Sequence, residues 1–334
     1  AGTFTATFYA YGQLLLNDQR VYGPSQSEGT FQWLYAGLAS GSHGWAFTDV
    51  NLLTHPLDVS FMLHQIHPLE CNYGMGWTYY YINKIDPEWK TSPRRREYVD
   101  LILSTSIAYG AMGWLIREYD PETPFGLEAM VRSYYMMQQL QQQYAFARPR
   151  KIEFADASGK YFSASEAHAN GVIELSRLHV VYENGTEVYV NRGKSGVWNV
   201  ADGKGRAVEL PPSGWLVFNP SNGFHEVSAN VGGRRIDYAA SGEYEYLDGR
   251  GQWTAQGNLG SSGAVVLKQK AAGVLELIDL YGNDRIRFAA APGGRLLAYD
   301  AEGKGIGAVE FSSPAPGFVE FKPVANARSY VYAN

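Results

Sequence analysis

Glu28 is the residue whose type and setting most suit chemistry. It lies in a polar turn between Ser27 and Gly29, directly before the aromatic run Phe31, Trp33 and Tyr35. A carboxyl group among aromatic rings is desolvated, which raises its pKa and fits it for general acid work. A turn or helix-capping carboxylate is the plainer alternative for the same residue. A second cluster lies in 61–81, where His64, His67 and Glu70 are spaced three apart and precede Trp77, Tyr79, Tyr80 and Tyr81. On one continuous helix these three would share a side and could hold a metal. Pro68 falls between the second and the third and argues against that helix. Contacts to substrate hydroxyls, or plain structural use, therefore stand ahead of metal binding, and neither a metal nor a cofactor is expected. Trp45, Asp49 and His55 could extend the same pocket.

Other chemistries drop out. The chain has no G-x-x-x-x-G-K phosphate loop, no strand–G-x-G-x-x-G–helix unit and no G-x-S-x-G elbow. Its single cysteine, Cys71, excludes an internal disulfide framework and reads best as a buried, inert thiol. A net charge of −5 offers no electrostatic footprint for nucleic acid. No apolar run is long enough for a membrane helix; the nearest, 101–116, is interrupted by Ser104, Thr105 and Ser106. Hydrolysis by paired carboxylates survives this elimination. The aromatic fraction of 14%, with 24 Tyr and 8 Trp, suits stacking on sugar rings, although β-rich proteins share it.

The elements that must position these residues change character near residue 150. All six Met lie before it, whereas 25 of the 37 Gly lie after it. The expected fold class is α/β plus all-β, with a mixed segment 1–149 followed by antiparallel β structure over 150–334, one or two sandwiches. The hairpin 172–182/186–191 turns on Asn184-Gly185, a dipeptide that tolerates the positive φ of a type I′ turn. Asn184-Gly185-Thr186 also fits a glycosylation acceptor, but the turn explains it sufficiently. Strand-like runs follow at 214–219, 235–238, 264–268, 273–280, 286–290, 295–299 and 317–322. In the first segment, Phe4, Phe8, Tyr11 and Leu15 mark one face of an amphipathic helix. Thr123-Pro124 opens another, whose apolar stripe runs on to Tyr144. Apolar segments at 31–38, 59–66 and 101–115 suggest β/α units and a parallel sheet. A complete (β/α)₈ barrel needs roughly 250 residues, so this segment is expected either to form another α/β arrangement or to be the C-terminal piece of a larger protein.

The stretches GPSQSEGTFQWLYAGLASG and HPLDVSFMLHQIHPLECNYGMGW, then the helix EAMVRSYYMMQQLQQQYA, together resemble the C-terminal part of barrel glycoside hydrolases related to the endo-α-N-acetylgalactosaminidase-like bacterial families. The resemblance covers residues 1 to about 190 and implies a (β/α)₈ barrel that ends in a long helix and passes into β-sandwich domains. It implies that Glu28 ends a late barrel strand as the general acid/base, or alternatively the nucleophile. The family places the second carboxylate in an earlier strand, which this chain lacks; Glu70 is the nearest substitute and Asp49 a weaker one. His43, His64, Trp33 and Trp77 would contact sugar hydroxyls and ring faces, joined by His67 and Tyr79. A partner chain or second copy completing the barrel is a further expectation, as is a secreted, periplasmic or cell-surface bacterial location. A noncatalytic carbohydrate-binding or surface-structural protein is the alternative from a different class.

Overall fold

The computed structural model describes residues 2–23, 26–28, 41–43, 51–60, 63, 78–113, 115–117, 119–120 and 122–334. Helix α1 (Gly2–Tyr22) forms where the apolar spacing predicts it. None of residues 6–23 is buried, however, and Tyr9, Val21 and Tyr22 stand largely in solvent. Strands β1 (Gln26–Glu28) and β2 (Gly41–His43) pair in parallel. Helices α2 (Asn51–Thr54), α3 (Thr78–Ile85), α4 (Arg95–Ala108), α5 (Pro124–Tyr135) and α6 (Leu140–Tyr144) follow.

Local chemistry explains the helix boundaries. Thr123 caps α5 by accepting the Gly126 N–H on its hydroxyl, with Pro124 at the first position, where a missing N–H costs nothing. The apolar stripe read as continuous to Tyr144 breaks into two helices, α5 and α6. The run 101–115 lies mostly in α4. It buries Ile102, Leu103, Ile107 and Ala108 together with Ser104, Thr105 and Ser106. The hydroxyls of Ser104 and Thr105 donate back to the Leu101 carbonyl, which removes much of the cost of burying them.

From residue 149 the chain is antiparallel β structure. Its strands are β3 (Pro149–Ala155), β4 (Tyr161–Ser163), β5 (Arg177–Tyr182), β6 (Glu187–Asn191), β7 (Trp198–Ala201), β8 (Ala207–Leu210) and β9 (Gly214–Asn219). Next come β10 (Phe224–Val231), β11 (Arg234–Ala240), β12 (Glu245–Asp248), β13 (Thr254–Gln256), β14 (Leu259–Ser261) and β15 (Ala264–Ala271). The last are β16 (Val274–Tyr281), β17 (Ile286–Ala289), β18 (Arg295–Tyr299), β19 (Gly305–Ala308), β20 (Phe318–Phe321) and β21 (Ser329–Ala333). One α-helix interrupts them, α7 (Ala164–Ala169), closed at its start by a Ser163–Glu166 capping box and followed by a 3₁₀ turn, Val172–Leu175. The hairpin forms about Gly185 at φ +84°. The side chains of Asn184 and Thr186 both donate to the Gln143 carbonyl, which accounts for Asn-Gly-Thr as a docked turn.

A long sheet runs β19-β18-β21-β16-β15-β12-β11-β10-β9-β6-β5-β3-β4, with the β7–β8 hairpin attached at β10, and β13-β14-β17-β20 form a second sheet. Both faces of the long sheet are buried at its central strands. The inner face packs Leu178, Val190, Trp215, Val217 and Tyr246 against α4, α5 and α6. The outer face packs Leu216, Val227, Leu247, Val265 and Leu277 against the β7–β8 hairpin and the second sheet. This explains the unbroken burial of β9 and β12, since strands covered on both sides lose the polar alternation of a half-solvated sheet.

Candidate functional site

Of the residues the sequence singles out, Glu28 and His43 are register partners. Each is the last residue of its strand, so a carboxyl-bearing and an imidazole-bearing residue sit side by side at the carboxyl ends of two parallel strands. Adjacent strands lie roughly 4.8 Å apart. In parallel α/β architectures, ligands bind at this end of the strands. Tyr79 belongs to α3. Trp33, Asp49, His64, His67, Glu70 and Trp77 lie outside the described residues.

A cleft of about 770 Å³ opens where the helices meet one end of strands β5, β6, β9 and β11. Its helical wall includes Leu53, His55, Arg94, Tyr98 and Leu101; its sheet wall includes Arg177, Arg192, Lys194, Ser213 and Arg235. Arg192 ties the walls together. Its guanidinium donates to the Thr105 hydroxyl at 2.7 Å and to the carbonyls of Leu53 and His55 at 3.0 and 2.9 Å. Burial draws its pKa down to about 10, which still leaves it charged at neutral pH. Ser176, held at φ +49°, accepts the Leu57 N–H on its hydroxyl and makes a second tie.

Behind the cleft lies a buried ionic network that sequence reading missed. Arg132 donates to Asp100 at 2.6 Å and to Asp237 at 2.8 Å. Arg250 binds the same two carboxylates at 2.7 and 2.9 Å. Arg235, which lines the cleft, reaches Asp100 at 3.0 Å and the Ser228 hydroxyl at 3.0 Å. Burial opposes the ionisation of Asp100, but Arg235, Arg250 and Arg132 outweigh it and hold its pKa far below the usual carboxylate range. Burial likewise opposes Asp237, and Arg132 and Arg250 bring its pKa to about 2. Asp248, beside them, is bonded by the neutral donors Tyr281 hydroxyl and Arg250 N–H, and burial pushes its pKa up. Arg96, the last of the three consecutive arginines Arg94-Arg95-Arg96, pairs with the buried Glu128 of α5. One sequence signal did exist. Asp100 stands at the start of the apolar run 101–116, a position where a charge must find a partner.

The outer face has a smaller groove of about 370 Å³ lined in part by Asp202, His225 and Tyr238. Burial lowers the pKa of His225, so its ring is neutral at pH 7. Among the described residues no group of three or more His, Cys, Asp or Glu side chains is arranged to hold a metal ion. No described helix is long and apolar enough to cross a membrane. No family model, curated protein or solved structure matches the chain.

Proposed function

We propose that this chain carries the C-terminal part of a glycoside hydrolase barrel, with Glu28 as the general acid/base. The observation that carries this reading is the register pairing of Glu28 with His43 at the carboxyl ends of parallel strands. Glu28 protonates the glycosidic oxygen as the bond to the anomeric carbon breaks, and His43 contacts a neighbouring sugar hydroxyl. Glu70 is the proposed second carboxylate, acting as nucleophile or as base on water. A separation of about 5 Å between the two would mean retention, and about 6.5–9.5 Å inversion. Trp33, Trp77, Tyr79, Asp49, His64 and His67 complete the proposed sugar site. The uncovered apolar residues of α1, Tyr9, Val21 and Tyr22, support contact with further β/α units, from a partner chain or a second copy. The proposed setting is extracytoplasmic and bacterial.

The test is Glu28→Gln assayed on a series of aryl glycosides. General acid catalysis contributes about 10²–10⁴-fold, so the loss should approach that range for poor leaving groups and shrink for good ones, which need no proton. Equal activity of parent and variant across the series would refute the assignment. A noncatalytic, carbohydrate-binding role is the second reading, favoured by the cleft, where two of the three lining acids, Asp100 and Glu97, are already held by arginines. Binding without turnover in the parent would select it.

A further inference from the structure

We propose that the cleft between the helices and the strand ends is a binding site for a carboxylate-bearing saccharide, an acidic sugar. Its anion-binding half stands on the charge of the cleft alone; its saccharide half rests on the carbohydrate reading above. The charge argument begins with the acids of the lining. Asp100 is held by three guanidiniums, and Glu97 is paired with Arg94 at 2.9 Å. Those two carboxylates are therefore not available to repel an anion. The cations are differently placed. Arg177 donates only to the carbonyls of Asp156 and Val197, at 3.2 and 3.5 Å, among its described partners. Among the described residues, no ion pair includes Arg177, Lys194 or Glu174. Two cations face one acid on the sheet wall.

The network behind the wall adds to this. Among the described residues, the guanidiniums of Arg132, Arg235 and Arg250 form ion pairs with two carboxylates, Asp100 and Asp237, and Arg235 and Asp100 open onto the cleft. An anion lying against Arg235 thus meets a site whose direct ion contacts leave one positive charge over. With a low-dielectric protein wall behind it, that charge is screened less than a surface lysine would be.

The rest of the lining describes the remainder of the ligand. Thr54, Ser195 and Ser213 supply hydroxyls, while Leu53, Ile85, Leu101 and Pro212 supply apolar surface. A few polar groups converging on a mostly apolar wall suit a ring that presents C–H faces and hydroxyl edges. A carboxylate on that ring matches a guanidinium in planar, two-pronged geometry. The volume lies within the range usual for small-ligand sites, about 300–1,000 Å³.

The experiment is titration of the full chain with glucuronate and galacturonate, with glucose and galactose as neutral counterparts and inorganic sulfate as a bare anion. Uronate should bind at millimolar concentration or below, weaken with added salt, and outcompete sulfate; the neutral sugars should not bind. Lys194→Glu, on an exposed loop, and Arg177→Gln should each weaken uronate by about tenfold or more, with melting curves unchanged for Lys194→Glu. Equal binding of neutral and acidic sugars, unaltered affinity in Lys194→Glu, or no uronate binding would overturn the proposal. Sulfate binding as tightly as uronate would overturn its saccharide half. Glu28→Gln separates this site from the hydrolytic one, because it should leave uronate affinity intact. If Glu28→Gln keeps full hydrolysis while uronate binding stays charge-dependent, the hydrolase assignment fails and the anion site stands.

Discussion

The inner and outer faces of the long sheet come from the same strands and are organised by different forces. On the inner face, Trp215, Ser228, Asp237 and Asp248 oppose one another across β9, β10, β11 and β12. One residue along, on the outer face, the corresponding row is Leu216, Val227, Tyr238 and Leu247. A sheet has a side-chain period of two, so a one-residue step exchanges a row of charge and hydroxyl for a row of apolar contact. The outer face is held by area and shape, and tolerates volume-conserving change. The inner face adds to its apolar packing a set of buried ions that satisfy one another, where losing one partner strands the others. Position therefore matters more than composition. The helices carry Asp100 and Arg132, so the inner face is complete only when α4 and α5 are docked on it.

This contrast can be broken most severely at Arg132. Arg132→Met leaves Asp100 and Asp237 with one fewer guanidinium in a dry interface, and should cost roughly 3–5 kcal/mol in chemical denaturation. Replacing Asp100, Arg132 and Asp237 together by apolar residues of similar volume should recover much of that loss; no recovery would mean that the network contributes more than its internal compensation. On the outer face, Leu277→Ala should cost about 2–5 kcal/mol by cavity formation, with little dependence on pH.

Acid sharpens the comparison next. Asp237 titrates near 2 in the fold, below its ordinary value of 3.8, so its stabilisation is present above that ordinary value and is lost as pH falls through 2. Its share is about 2 kcal/mol, and Asp100 acts in the same direction. Denaturant midpoints for the parent should fall steeply in this window, and those of the triply apolar variant should not.

The smallest effect has the opposite sign. Glu226 is fully buried, with one oxygen accepting from the Trp215 indole N–H and the other without a partner among the described residues. Burial raises its pKa well above 4.5. Its contribution is therefore complete below 4.5 and is lost as pH rises through the folded value. Glu226→Gln keeps an acceptor for Trp215 and should make the protein more stable at neutral pH while flattening that slope. A variant less stable than the parent at pH 7 would show that the carboxyl is ionised and compensated there.

The readable parts of the fold are those where neighbouring residues decide the outcome. The strand at 214–219 has the bounds its composition predicts, and the hairpin follows from Asn184-Gly185. The strand-like run 172–182 is shorter in the structure: Ser176 at φ +49° ends a 3₁₀ turn over Val172–Leu175, and β5 starts only at Arg177. The helix α7 carries a local signal in Ser163-x-x-Glu166, the spacing of a capping box. The central strand β10 was missed because Glu226 and Ser228 interrupt its apolar pattern, and both are buried only because Trp215 and the network receive them. Of the candidate site, the sequence supplied Glu28 and His43 as residue types, and the fold supplied their pairing.

Turns, caps and amphipathic stripes are set within a few residues, by φ preferences and by which side chain can reach the next free N–H, and this chain writes them plainly. The ionic network joins residues 32, 105 and 150 positions apart, and the cleft draws its walls from residues 53 to 235. Nothing local specifies those encounters. Asp100, Arg132 and Asp237 could be tolerated in a dry interior only where the packing of helices on a sheet brought opposite charges within hydrogen-bond distance, and that packing belongs to the tertiary structure.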